Sequence, residues 1–348
     1  MSKEQSNFIK GLGILLIMIH NFVDILLGIS SNEMVYTRES TDAFLAHIFT
    51  TDCIWYFFSF VGWIGVPLFF FISGYGLTKK YNAANTIRSA SYIKNHAVKL
   101  WMLMVPIYLV YFILYGTNME AGLSHMVITS NHIQSGLLHI TFTINLLSYG
   151  NNGFVIDPGV YWFFGAIFQF YILFLLLRKL DRRWLWILCG IFLIIHYFII
   201  YAANPDLSRW MRQNFLGWGV PFMLGMIAAR SQLNPSKRMN LVLCIGALLG
   251  LCACLVVKWL APFTEVMTII FFVTLSRMMT MKWMCHIGVI SPSIFVLHPL
   301  IRQLIYSIFD SASHYPYTMT IAFTIITLLM SWVHHAVLGK TNKLLKRS

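Results

Sequence analysis

A chain of 348 residues that is 58% hydrophobic and 11% charged, with a mean hydropathy of +0.70, is not an ordinary soluble globular domain. The formal net charge of +13 invites a nucleic-acid partner, but the cations are sorted along the chain by membrane side and not gathered into one patch, which argues against one. The composition is that of an integral membrane protein, and a lipid bilayer is its first expected partner.

Apolar runs near the roughly 20 residues needed to cross a ~30 Å hydrocarbon core recur along the chain. They predict ten helices, at about 8–29, 54–77, 100–116, 160–178, 184–202, 214–230, 240–258, 262–280, 287–307 and 317–338. Period-2 alternation is absent, and backbone groups in lipid must be satisfied within a segment. The expected fold is therefore an all-α polytopic bundle, one membrane domain over 1–348, and not a barrel.

The first run, "FIKGLGILLIMIHNFVDILLG", carries Lys10, His20, Asn21 and Asp24. It is long, it is interrupted by His20 and Asp24, and no small-residue cleavage site follows, so no cleavable signal peptide is expected. Ionisable groups inside a bilayer cost a few kcal/mol each and normally face a bundle interior or a wet path, so each raises a functional hypothesis. At 1.5 Å per residue, Lys10 sits near the inner surface, His20 lies roughly 15 Å beyond it near mid-membrane, and Asp24 is one turn further out. The spacing of four puts His20 and Asp24 on one face, where a carboxylate can take a proton from one ring nitrogen and leave the other basic. A bland reading stays open, in which His20 bonds a neighbouring helix and Asp24 meets water.

The second run ends in Ser73-Gly74, small residues suited to close helix approach or to passage of a thin ligand. A basic stretch with Lys79, Lys80, Lys94 and Lys99 leads into the third. Between the third and fourth runs, residues 116–159 lack Lys and Arg, and "SGLLHITFTINLLSYG" is apolar enough to lie at the outer interface or to dip into the protein. His125, His132 and His139 recur there every seven residues. Seven residues of helix span about 10.5 Å, too far for two imidazoles to share one ion as i,i+4 pairs do, so no metal site is expected. Tyr161 and Trp162 open the fourth run as candidate sugar-binding aromatics.

Further on, His196 stands alone on an apolar helix and reads as a packing histidine, and Glu265, near Pro262, reads as a solvated outer-end residue. In the ninth run His298 falls about 16 Å in, the depth expected for His20, with Arg302 one turn beyond, so the two histidines could meet mid-membrane; a structural His298–Arg302 pair is an equal alternative. His334 and His335 read as interfacial. Six cysteines without a CxxC pair suggest neither a disulfide nor a zinc site. With the N-terminus inside, twenty of the 25 Lys and Arg fall on the inner side. The positive-inside rule then predicts both termini in the cytoplasm and a multi-pass protein of the cell (inner or plasma) membrane.

Several of these stretches, in this order, resemble the acyltransferase 3 family of membrane enzymes that O-acylate carbohydrates and related envelope molecules. "FIKGLGILLIMIH" resembles its opening helix, a basic residue preceding a histidine by about ten positions. "GWIGVPLFFFISGYGL" resembles its second-helix signature, and "YIKNHAVKLWMLMVP" its basic segment and proline. "VYWFFGAIFQFYIL" resembles its tryptophan-containing fourth helix, and "IGVISPSIFVLHPLI" its late Gly, Ser and His pattern. Lys10, Lys94 and Lys99 stand where arginine is more usual, which weakens bidentate phosphate binding, and Gln169 stands where many relatives carry glutamate. The hydrolase-like domain of some members is absent from these residues.

The resemblance implies transfer of an acyl group, acetyl first and succinyl second, from cytosolic acyl-CoA to a hydroxyl of an envelope glycan. It implies acetyl-CoA as co-substrate and no tightly bound cofactor. The expected catalytic residues are His20 as general base or acyl carrier, Asp24 as its orienting acid, and His298. The expected donor site is Lys10, Lys94, Lys99, Ser73 and Gly74; the expected acceptor site is Tyr161, Trp162 and Arg302. A second reading, a proton-coupled transporter or flippase of a small molecule or glycan, uses the same buried groups as a proton relay.

Overall fold

The computed structural model describes residues 1–28, 36, 38–81, 87–115, 130–149, 156, 158–201, 204–231, 235–309 and 315–345. Fifteen α-helices are found among them: α1 Lys3–Leu27, α2 Arg38–His47, α3 Cys53–Val61, α4 Gly65–Tyr81, α5 Ser89–Tyr115, α6 Ser130–Ile140, α7 Ile144–Leu147, α8 Trp162–Leu177, α9 Arg182–Tyr201, α10 Pro205–Arg212, α11 Gly219–Arg230, α12 Lys237–Val256, α13 Thr264–Met278, α14 Lys282–Ile308 and α15 Pro316–Leu345. No strand occurs among the described residues. The protein is an all-helical, multi-pass membrane bundle.

Nine segments among the described residues are long and apolar enough to cross a bilayer. They correspond to nine of the ten runs, with α3 and α4 joined through a 3₁₀ turn at Gly62–Ile64 into one crossing, Cys53–Tyr81. The run at 214–230 is the exception. Its helix, α11, has 12 residues, about 18 Å of rise, well short of a ~30 Å core. A short helix is tolerable there because it is enclosed: nine of its residues are buried, so its ends meet protein and not lipid.

α1 is the hub. A capping box between Ser2 and Gln5 starts it. It lies against α14, bonded at one end by Cys285 Sγ to the Glu4 carbonyl (3.5 Å) and near the other by Arg302 Nη1 to the Asn21 carbonyl (3.1 Å). The two therefore run parallel. α4 and α11 also run parallel, with Phe70 stacked on Trp218. Gly74 and Gly225 let these backbones touch; a Cβ at either would overlap the opposing main chain. With lipid on the outside, hydrophobicity gives little drive for helix association, so this close packing and the interior hydrogen bonds carry it. The exposed apolar side chains, such as Phe198, Leu249 and Trp332, form the lipid face at no cost.

The connection before α8 dips into the protein. His139, Phe142, Ile144 and Asn145 are buried, and Asn145 Nδ2 donates to the carbonyls of Trp162 (2.6 Å) and Gln213. His125 and the side chain of His132 lie outside the described residues, so the seven-residue histidine series is seen only at His139.

Candidate functional site

α1 presents His20 toward α3. The ring is 2% exposed, and its Cβ rests on Gly62, where any side chain would collide with it. Nε2 lies 3.4 Å from Asp24 Oδ2, as the i,i+4 spacing predicts, and Ser59 Oγ donates to Asp24 Oδ1 at 2.6 Å. Nδ1 lies 3.2 Å from the carbonyl oxygen of Phe58. Both ring nitrogens thus face acceptors, whereas the sequence reading left one nitrogen free. A neutral ring donates from one nitrogen only, so the other keeps its lone pair. To act on a substrate the ring must exchange the Phe58 carbonyl for the substrate's own group.

His298 is fully buried on α14. Its Nδ1 faces the Ile294 carbonyl at 3.2 Å, and its Nε2 is buried without a hydrogen-bond partner among the described residues. With the proton on Nδ1, Nε2 is an acceptor, suited to receive a hydrogen bond from a hydroxyl and not to hold a carbonyl oxygen. Among the described residues no hydrogen bond, ion pair or ring contact joins His298 to His20. α14 meets α1 one turn further out, through Arg302 and Asn21.

Between α1, α4, α5, α8 and α14 lies a cavity of about 190 Å³. Ile17 and Asn21 form its α1 wall, Val66 and Ser73 its α4 wall, and Val160 through Tyr171 its α8 wall. Those eleven residues of rise correspond to about 16 Å along the membrane normal. His20 is not part of the wall; it sits beside it, braced on Gly62, one turn before Val66.

At the Ser73 end of the cavity the Tyr171 and His96 rings meet at 4.5 Å, tilted by 50°, and Lys80 and Lys99 lie within electrostatic reach of His96. Lys94 and Lys99 are exposed and Lys10 is half-buried. The Met1 ammonium donates to Tyr75 Oη at 2.9 Å, with Lys79 and Arg277 near enough to act with burial in lowering its pKa. One end of the bundle is therefore cationic and the cavity begins behind it.

The opposite end is aromatic. Trp162 lines the cavity and stacks on Trp218 at 5.3 Å. Tyr161 is buried and donates to the Val296 carbonyl at 2.9 Å. Neither is a surface platform for a sugar; an acceptor must come to Trp162 from within.

A cluster that the sequence reading missed lies beyond Trp218. Glu265, expected to be solvated, is fully buried, and its Oε1 accepts from Arg212 Nη1 at 2.7 Å. His196, expected to be a lone packing residue, places Nδ1 3.6 Å from the same oxygen and Nε2 3.3 Å from Arg212. The Arg212 guanidinium also stacks 4.0 Å over Trp218. Residues 53 apart in sequence leave no local signal of pairing.

Against this geometry a family model described as an acyltransferase domain matches residues 4–336. The chain belongs to the acyltransferase 3 family. Membership implies acyltransferase activity. No curated protein and no solved structure matches. The matched span takes in the His20–Asp24 pair, the cationic end, the cavity and His298.

Proposed function

We propose that this protein moves an acyl group, acetyl first, from cytosolic acyl-CoA to a hydroxyl of a cell-envelope carbohydrate. The observation that carries the reading is the His20–Asp24–Ser59 constellation beside a membrane-interior cavity with cations at one end and aromatics at the other. The charge distribution that favours cytoplasmic termini makes the cationic end the cytosolic one. There Lys79, Lys80, Lys94 and Lys99, with Lys10 at the foot of α1, offset the phosphates of the donor's nucleotide head. The thioester then enters the cavity past Tyr171 and Ser73, with the pantetheine arm trailing back toward the cationic end; Gly74, packed on the α11 main chain, takes no part.

His20 removes the acceptor proton, or carries the acyl group, with Asp24 holding the ring and balancing its charge. Ser59 keeps the Asp24 carboxylate oriented. His298 Nε2 offers the acceptor hydroxyl a second hydrogen bond, and Trp162 flanks the acceptor while Arg302 fixes the main chain at Asn21.

Purified protein in proteoliposomes, given radiolabelled acetyl-CoA and an envelope glycan fraction, tests the reading. Label entering the glycan only when protein is present supports it. A protein that neither binds CoA nor transfers label, yet carries glycan or protons across the vesicle, is the transporter.

A further inference from the structure

We infer that the interior cavity is the acyl-selecting site and that it selects short, uncharged acyl groups, which excludes succinyl and other dicarboxylic donors. The inference rests on the acyltransferase reading and narrows its donor. Two observations carry it, the chemistry of the wall and its volume. The polar members of the wall are Asn21, Ser73, Tyr171 and Ser291; among the described residues lining the cavity none is Lys, Arg, His, Asp or Glu. Arg302 is turned to the Asn21 main-chain oxygen and is not part of the wall. A neutral acyl carbonyl can take the Ser73 or Tyr171 hydroxyl or the second N–H of Asn21, whose Nδ2 also donates to the Ile17 carbonyl at 2.8 Å; the Ser291 hydroxyl is given to the Gly288 carbonyl. A distal carboxylate finds no counter-charge, and an unpaired charge in such a site is strongly disfavoured.

Size sets the second limit. A cavity of about 150 Å³ lined by apolar side chains holds a benzene molecule, so about 190 Å³ holds about eight non-hydrogen atoms at the same density. An acetyl or butyryl thioester fits within that count; an octanoyl thioester exceeds it. The wall where a longer chain would run is stiff, made of Val66, Phe69, Phe163 and Phe295, with Phe163 ring-to-ring against Phe70 and Phe295.

The test measures binding, so no acceptor is needed. Displacement of radiolabelled acetyl-CoA from the purified full-length protein is followed with acetyl-, butyryl-, octanoyl- and succinyl-CoA and with free CoA. Acetyl- and butyryl-CoA are expected to compete alike, octanoyl-CoA roughly tenfold more weakly, and succinyl-CoA roughly a hundredfold more weakly. Phe69→Ala, which enlarges the cavity, should strengthen octanoyl-CoA about tenfold without strengthening acetyl-CoA. Val66→Phe, which fills it, should weaken butyryl-CoA more than acetyl-CoA. Succinyl-CoA competing within threefold of butyryl-CoA overturns the inference, as does a length preference that Phe69→Ala leaves unchanged. If all the CoA compounds compete equally, the cavity does not select the acyl group although the donor reading stands. If none binds, the acyltransferase reading falls with it.

Discussion

Replacing Glu265 by Gln removes the counter-charge of Arg212 while keeping side-chain size. Glu265 is 0% exposed and Arg212 3%, and their oxygen and nitrogen are 2.7 Å apart. Neither can turn to water when the other is lost. Removing one partner of such a buried pair costs about 3–5 kcal/mol, mostly as the penalty for the charge left behind. For a chain of this size that is a fall in melting temperature of roughly 4–7 °C. Thermal unfolding in detergent, followed by tryptophan fluorescence, reads it directly, because Trp218 lies 4.0 Å beneath the guanidinium. The double variant Arg212→Met with Glu265→Leu carries no buried charge and should recover most of the loss, a non-additivity that only direct coupling produces. A Glu265→Gln protein melting within 1 °C of wild type (about 0.7 kcal/mol on the same scale), or a double variant as unstable as the two single losses added, would refute the buried-pair account.

Gly62→Ala drives a Cβ into His20 and to 2.7 Å from the Leu16 carbonyl, so α1 must shift; a displacement of about 1 Å at a reacting group predicts a loss of up to about a hundredfold in transfer rate, checked by initial rates on folded protein. Gln169→Glu should cost about 1–3 kcal/mol in denaturation. Its Nε2 donates to Asn214 Oδ1 at 2.7 Å, and Asn214 cannot flip because its Nδ2 already serves the carbonyls of Asn145 and Trp210. Burial pushes the His139 imidazole, on α6 outside the spanning helices, down to about 4 from an ordinary ~6.5. The unfolded chain then takes up a proton first as pH falls, so stability is whole above pH ~6.5 and about 3 kcal/mol is lost by pH ~4. His139→Phe should flatten that part of a melting-temperature profile, and an unchanged slope would contradict the buried, neutral ring.

What could be read from the chain and what could not divide on sequence distance. The apolar runs marked the crossings because twenty apolar residues in a row have few other uses, and His20 with Asp24 was legible because four residues of helix bring two side chains together. Residues 214–230 misled because apolarity cannot tell a helix facing lipid from one enclosed by protein; α11 is the second kind. Glu265, Arg212 and His196 come from three separate helices and meet only when those helices pack. The same holds for the Phe58 carbonyl that occupies the second nitrogen of His20, and for the cavity, which is a property of five walls at once. Asn21, polar and unassigned in the sequence, turns out to line that cavity.

The most direct test is the rate of CoA release by purified protein supplied with acetyl-CoA and an acceptor glycan, wild type against His20→Gln. A positioned general base contributes about 10²–10⁴-fold. The account predicts at least a hundredfold lower rate in the variant, with acetyl-CoA binding retained. A rate within threefold of wild type would contradict it.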